Sequence, residues 1–473
     1  MNTLPPLWKH QKECIERARN KSSFAILFDV GTGKTRTAIE ILRERYHQHD
    51  RVLKTLIVCP LIVTRNWQDE ILKYSNIEQR KIYVLEGSEK KRLETMALKV
   101  LPDPNKIVIV NYEGLMMAKL FRLIEMWKPE IIVADEMHYI KNPGAKRTKM
   151  MIKLSSYAKF RYGLTGTPIL NNPIDIFSQW LFLDHGATFG DNYFVFRAKY
   201  FQDKNAKMPK NIHFPKWEIR PSAIEEISKK LEQSSMSVKK EDALDLPPLI
   251  KQTIPVELTP KQRKHYDELK DEFITYIRET GEAAVATNGL VKALRLMQIC
   301  SGFLKDEEEN IVDFKDNPKA KALEELLESI QPHKTIVWCV FKKDYEVVRR
   351  VCMKLKIKFV ECSGDTPNIQ KFDNVDAFNK DESVKVFIGH PRSLGIGINL
   401  IAGKFMIFYS RSFSLGDDIQ AEARNYRGGS EIHDKITRYD IVAQNTIDAL
   451  CVEALHDKKE ISEAVIKSWV DIL

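Results

Sequence analysis

Five apolar residues, Phe24-Ala25-Ile26-Leu27-Phe28, run through a short turn into Gly31-Thr32-Gly33-Lys34-Thr35 and then a helical stretch reaching about Tyr46. Few architectures accommodate that order. A strand apolar at every position must be buried on both faces, which is the condition of a parallel sheet covered by helices. Similar short runs follow at Thr55–Cys59, Ile107–Val110, Ile131–Ala134 and Phe160–Leu164, with amphipathic segments between most of them. Strand alternating with helix predicts an α/β fold built on a parallel sheet.

The pattern changes from about Asp184 to Phe314, where long polar and helical stretches dominate and turn signals fall at Leu246-Pro247-Pro248 and Thr259-Pro260. Between Lys204 and Lys240 nine basic residues face four acidic ones. Alternation returns with a helix over Ala320–Ile330 and strands at Thr335–Cys339, Val384–Ile388 and Lys404–Phe408. The expectation is two α/β lobes, 1–183 and 319–473, separated by a helical, basic insertion over 184–318.

No apolar run approaches the roughly 20 residues of a membrane-spanning helix. The opening Met1-Asn2-Thr3-Leu4-Pro5-Pro6 lacks the basic start and apolar core of a secretory signal. Seven scattered cysteines form no C-x-x-C pair, as expected of reduced thiols in the cytoplasm. With 74 Lys and Arg against 65 Asp and Glu, the net charge of +9 permits a nucleic-acid partner without requiring one.

Three short stretches carry chemistry. In Gly31–Thr35 the backbone N–H groups can form an anion nest at a helix N-terminus. Lys34 would reach the β- and γ-phosphates of a nucleotide, and the Thr35 hydroxyl would sit on Mg²⁺. The usual first glycine of such a loop is replaced by Phe28. Asp135-Glu136-Met137-His138 follows the Ile131–Ala134 strand and offers one carboxylate for the metal and one to position water. Leu164-Thr165-Gly166-Thr167-Pro168 ends another strand, with two hydroxyls able to relay between sites.

Near the C-terminus, Gln420-Ala421-Glu422-Ala423-Arg424-Asn425-Tyr426-Arg427 places two arginines three apart, predicting one helix face. Guanidinium groups so placed can stabilise charge on a transferring phosphoryl group.

These blocks in this order resemble superfamily two helicase-like ATPases, and the details resemble the Swi/Snf type. Asp135-Glu136-Met137-His138-Tyr139-Ile140-Lys141-Asn142-Pro143 is similar to that family's Asp-Glu-x-His…Lys-Asn block. Leu56–Pro60 with Asn66-Trp67 resembles motif Ia, Asn111-Tyr112-Glu113 motif Ib, and Gly395-Ile396-Gly397-Ile398-Asn399-Leu400 motif V. Leu246-Pro247-Pro248 followed by Val256–Gln262 resembles the crossover into the second lobe. Motif V departs from the family at His390-Pro391 and Leu394-Gly395, and Gly429-Ser430 stands where a Gly-Gln pair is usual. Such variants resemble small phage or mobile-element members.

The resemblance implies two RecA-like lobes closing on ATP and Mg²⁺. Gln11, beside His10, would read adenine; Gly31, Thr32, Gly33, Lys34, Thr35 and Gln420 would hold the nucleotide, with Thr35 and Asp135 on the metal. Lys34, Asp135, Glu136, Arg424 and Arg427 would be catalytic. Thr64, Arg65 and Asn111 from one lobe, and Arg392 and Asn399 from the other, would touch the nucleic-acid backbone.

The implied activity is ATP-dependent translocation on double-stranded DNA, remodelling branched DNA or protein–DNA complexes in a bacterial or phage-infected cell. A strand-separating helicase or restriction-system motor, and an ATP-switched clamp that does not move, are the rival readings. One further run stands apart: from Met137 to Ile174 there are no acidic residues but seven basic ones, Lys141, Lys146, Arg147, Lys149, Lys153, Lys159 and Arg161. A run of one sign suits a polyanion-facing surface.

Overall fold

The computed structural model describes residues 6–467, apart from 167, 170–171, 208–214, 216, 244, 281–284, 306–310 and 393–397. By residue contacts the chain forms two compact units, the first drawn mainly from 1–202 and 218–244 and the second mainly from 245–460.

The first unit holds β1 (Ser23–Phe28), β2 (Thr55–Cys59), β3 (Ile82–Leu85), β4 (Ile107–Asn111), β5 (Ile131–Asp135) and β6 (Phe160–Leu164). After a small sheet of β7 (Phe201–Asp203) and β8 (Trp217–Ile219), β9 (Ser235–Val238) completes it. The seven-stranded order is β3-β4-β2-β5-β6-β1-β9, and every pairing is parallel. Strands β2, β4, β5 and β6 are buried at every position, as the apolar runs of the first three require; in β6 the charged Arg161 is buried as well.

Register then fixes where the chemistry goes. Leu164 of β6 pairs with Asp135 of β5 on one side and Ile26 of β1 on the other. The loops leaving β1, β5 and β6 therefore emerge side by side at the carboxyl edge, where open α/β sheets bind ligands. On the far side of β5, Val58 of β2 pairs with Ala134, and Cys59 pairs with Asn111 of β4. The helix Thr64–Tyr74 and the turn after Asn111 start from that same edge.

The second unit contains β10 (Leu249–Val256), the antiparallel pair β11 (Phe303–Lys305) and β12 (Ile311–Asp313), then β13 (Thr335–Trp338), β14 (Lys358–Cys362), β15 (Val384–Gly389), β16 (Phe405–Phe408) and β17 (Ile436–Ala443). Its six-stranded parallel sheet runs β10-β17-β16-β13-β15-β14. Alternate residues feed two cores. Val337, Ile388 and Ile407 pack on one face, and Ile336, Trp338, Phe387, Met406 and Phe408 on the other.

Strands β9 and β10 both lie in the stretch read from the sequence as helical insertion, and each extends one of the sheets. All seven cysteines are buried free thiols. No helix among the described residues is long and apolar enough to cross a membrane.

Candidate nucleotide site

The turn after β1 is shaped by two glycines with left-handed backbones, Gly31 at φ 92° and Gly33 at φ 83°. Gly33 caps the helix Lys34–His49. The turn is braced from the preceding helix: Gln11 Nε2 donates to the Gly33 carbonyl at 3.2 Å, and His10 Nε2 lies 2.9 Å from the Thr32 carbonyl. Thr32 is fully buried and its hydroxyl donates to the Asp29 carbonyl at 2.7 Å. Lys34 Nζ donates to the carbonyls of Phe28 and Asp29 at 2.8 and 3.2 Å. The ammonium group is thus held at the mouth of the nest. Thr35 follows it in the first helical turn, half-buried.

Asp135 ends β5, and Glu136 turns the chain sharply at φ 50°. Both carboxylates are buried. Asp135 Oδ1 accepts the Glu136 backbone N–H at 3.0 Å, and Oδ2 accepts the Trp67 indole N–H at 2.8 Å. Glu136 Oε2 lies 3.2 Å from His138 Nδ1 and accepts the Thr165 hydroxyl at 3.3 Å.

Burial, reinforced by the neighbouring Glu136 charge, pushes Asp135 upward, against the Trp67 hydrogen bond and the Lys34 charge. For Glu136 burial acts upward too, but His138, Lys34 and Thr165 outweigh it and the net direction is down. Of two adjacent carboxylates, Glu136 is the one held ionised. A divalent cation beside Asp135 would reverse the shift there.

Gly166 brings β6's loop against β1's. A Cβ at that position would fall 3.1 Å from the Phe28 carbonyl oxygen. His138 and Thr165, read from the sequence as block members, are joined through Glu136; Thr167 lies outside the described residues.

The other expected site residues are placed less uniformly. Arg65 is exposed and pairs with Glu86. Thr64 is buried, and its hydroxyl is used by the Leu61 carbonyl at 2.8 Å. Asn111 is buried as well: its amide oxygen accepts from Arg92 at 2.7 Å and its nitrogen donates to Glu113 at 2.8 Å. These two side chains brace their loops from within, because burial and internal bonding leave little for an outside partner.

In the second unit Arg392 is exposed and donates to Asp417 at 2.6 Å, while Asn399 caps the Ile401 N–H at 3.0 Å. Leu394, Gly395 and Gly397 of the motif V stretch lie outside the described residues.

One expectation is corrected. Arg424 and Arg427 do not share a helix face, because the helix Leu415–Glu422, which carries Gln420, stops before them. The chain is drawn away by Leu400 N–H donating to the Arg424 carbonyl at 2.9 Å and Asn425 Nδ2 donating to the Gly403 carbonyl at 2.8 Å. Arg424 is buried at 2% exposure, with Arg427 half-buried in the turn beyond. Arg438 anchors the helix itself through Asp418 at 2.9 Å and Glu422 at 2.6 Å.

The one-signed run also looks different in three dimensions. Lys141 pairs with Asp175 at 3.2 Å, Lys153 pairs with Glu125 at 2.6 Å, and Arg161 is buried against the Leu183 carbonyl. Lys146 and Lys149 remain exposed.

A glycine nest with its lysine after β1, a buried carboxylate pair at the end of β5 and a threonine bridging to that pair from the end of β6, the strand between them, define a helicase-like ATPase on a parallel sheet. The sequence matches the SNF2-related domain over residues 10–303 and the helicase conserved C-terminal domain over 318–429. The chain belongs to the SNF2-related family and is a DNA-dependent ATPase of the helicase-like kind.

Protein p41 of Acyrthosiphon pisum secondary endosymbiont phage 1 is 27% identical, over 93% of this chain and 93% of its own. An uncharacterized ATP-dependent helicase of Mycoplasma genitalium is 28% identical over 97% of this chain, which spans 42% of that protein. The TATA-binding protein-associated factor mot1 of Aspergillus fumigatus is 26% identical over 93% of this chain, which spans 25% of it. Among solved structures, the Sulfolobus solfataricus SWI2/SNF2 ATPase core in complex with dsDNA is similar at 22% identity and a TM-score of 0.44, covering 100% of this chain and 96% of that one.

Proposed function

We propose that the chain is an ATP-driven translocase on double-stranded DNA, moving along an intact duplex to remodel branched DNA or displace bound protein. The observation that carries this reading is the buried Asp135–Glu136 pair. It sits at the carboxyl edge of an SNF2-related lobe within reach of the Lys34 charge, with Glu136 ionised and tied to Thr165 and His138. A clamp that only switches on ATP has no need of an ionised water-positioning carboxylate.

The left-handed glycines Gly31 and Gly33, at a helix N-terminus, suit a polyphosphate. Thr35 and Asp135 are the residues that would hold Mg²⁺, which when bound offsets charge on the β- and γ-phosphate oxygens. Lys34 exchanges its carbonyl partners for those phosphates. Glu136 orients the water that attacks the γ-phosphorus and accepts its proton, as the bond to the bridging oxygen breaks to leave ADP and phosphate. Arg424 and Arg427 stabilise the charge of the transition state, while Gln11 and Gln420 order the nucleotide's surroundings. Arg65 and Arg392 are exposed cations suited to phosphates of the duplex, with Thr64, Asn111 and Asn399 shaping the loops around them. A phage-encoded relative of similar length supports work inside a bacterial host.

Triplex displacement and unwinding of a tailed duplex, measured with one preparation and the same ATP, test the reading. Displacement of the third strand with little unwinding is expected. Efficient unwinding without triplex displacement would identify a strand-separating helicase instead.

A further inference from the structure

Two buried aromatic donors converge on Asp135. Trp67 donates its indole N–H to Oδ2 at 2.8 Å, and Tyr112 donates its hydroxyl to the backbone carbonyl at 2.8 Å. Trp67 is 1% exposed and Tyr112 fully buried. Tyr112 also stacks on Tyr139, at 5.0 Å between centroids and 14° between planes, in the turn that follows Glu136. A buried Trp or Tyr needs a partner for its polar tip, and here both tips are spent on one acidic residue.

The positions of the donors matter as much as their bonds. Trp67 stands one turn into the helix that begins with Thr64 and Arg65. Tyr112 directly follows Asn111, whose amide is locked to Arg92 and Glu113. The helix that carries Trp67 has Arg65, the exposed cation suited to the duplex backbone, at its leading end, and Tyr112 opens the turn whose loop Asn111 braces from within. A movement of either element carries its donor with it, and Asp135 has both its Oδ2 and its carbonyl fixed by those donors.

We infer that Trp67 and Tyr112 are positioning residues that transmit duplex engagement to Asp135, setting both its grip on Mg²⁺ and the degree to which duplex stimulates turnover. The inference rests on the motor reading above. Its sequence signal was the Asn66-Trp67 pair and Tyr112, visible as parts of motifs but silent about their shared target.

The test uses the full chain with W67F, Y112F and W127F. Trp127 is the matched control: a buried indole in the same unit, donating to the Pro104 carbonyl at 2.9 Å, away from Asp135. Binding of a fluorescent ATP analogue is titrated with Mg²⁺, and turnover is measured with and without duplex. W67F is expected to raise the Mg²⁺ needed for half-saturation by about tenfold, the usual scale for losing a group that orients a metal ligand. Its ratio of duplex-stimulated to DNA-free turnover should fall, with duplex affinity kept, and Y112F should lower the same ratio. W127F should lose thermal stability only. If W67F behaves like W127F in both the Mg²⁺ titration and the ratio, the inference is overturned and Trp67 is packing alone. Parental turnover indifferent to duplex would overturn the motor reading and the transmission with it, while the Mg²⁺ titration would still decide whether Trp67 holds Asp135.

Discussion

Gln11 and Gly33 touch across 22 residues of sequence: the Gln11 amide nitrogen donates to the Gly33 carbonyl at 3.2 Å, and a Cβ at Gly33 would fall 2.3 Å from that nitrogen. The Gln11 oxygen meanwhile accepts the Trp8 backbone N–H at 2.9 Å. A residue expected to read the base is therefore also a strut of the phosphate loop. Gln11→Ala should weaken binding of inorganic triphosphate as well as ATP, measured by competition against a fluorescent nucleotide. Gly33→Ala should be worse, since a left-handed φ adds strain of about 1 kcal/mol or more to the clash. Unchanged triphosphate affinity in Gln11→Ala would confine that residue to the base.

Glu136 separates binding from hydrolysis. Glu136→Gln should keep nucleotide affinity close to the parent while stopping turnover, because the amide cannot accept the water's proton. Lys34→Ala should lose both, since Lys34 is the cation held at the mouth of the nest. Equilibrium nucleotide binding and steady-state phosphate release distinguish them. Parental turnover in Glu136→Gln would remove this residue from the reaction.

Much of this arrangement was legible because parallel strands buried on both faces are written as unbroken apolar runs. β2 is identical in sequence reading and structure, and β4 and β5 differ only by the polar residue that ends each, Asn111 and Asp135. Edge strands escaped notice for the converse reason. β14 is mostly half-exposed, and β9 is a four-residue Ser-Met-Ser-Val segment without an apolar run. Among the site residues, local blocks were visible, but the bonds joining Trp67, Tyr112 and Asp135 span 23 and 68 residues. No periodicity records such pairs. The end of the helix before Arg424 was hidden too, since Ala421-Glu422-Ala423 favours helix and only bonds distant in sequence, Leu400 N–H to the Arg424 carbonyl and Asn425 to Gly403, pull the chain aside.

Arg424 should matter to turnover and not to DNA affinity. Arginines serving transferring phosphoryl groups contribute roughly 10³–10⁵-fold in related systems. Arg424→Ala also removes a buried side chain, so Arg424→Lys, which keeps charge without the planar fork, belongs beside it. Both should turn over slowly while binding duplex like the parent. Weakened duplex binding with parental turnover would move Arg424 to the DNA.

Arg65 and Asn111 were expected to do the same work, and their surroundings separate them. Arg65 is exposed in a surface pair with Glu86, worth about 0–1 kcal/mol to stability. Arg65→Ala should leave the melting temperature alone, weaken duplex binding, and reduce the log–log salt slope by roughly one unit. Asn111→Ala should lower the melting temperature, because Arg92 loses its buried acceptor, and leave the salt slope intact. Equal salt slopes in Arg65→Ala and the parent would take Arg65 off the duplex.

Asp344 supplies a pH dependence independent of the nucleotide site. Burial pushes its carboxyl from 3.8 up to about 6, against the Ser410 hydroxyl, the Phe341 N–H and the charge of Lys319. The folded chain then binds this proton more tightly than the unfolded chain. The contribution is complete below the unfolded value and is lost as pH rises towards and through the folded one. About two units correspond to roughly 3 kcal/mol at most. Asp344→Asn mimics the protonated form and keeps an oxygen able to accept from Phe341 N–H and Ser410. Denaturant unfolding of parent and variant should therefore agree best near pH 4, with the variant gaining on the parent up to about pH 7 and holding that advantage above it. A difference between the two that stays constant from pH 4 to 8 would show that Asp344 titrates alike in the folded and unfolded chain.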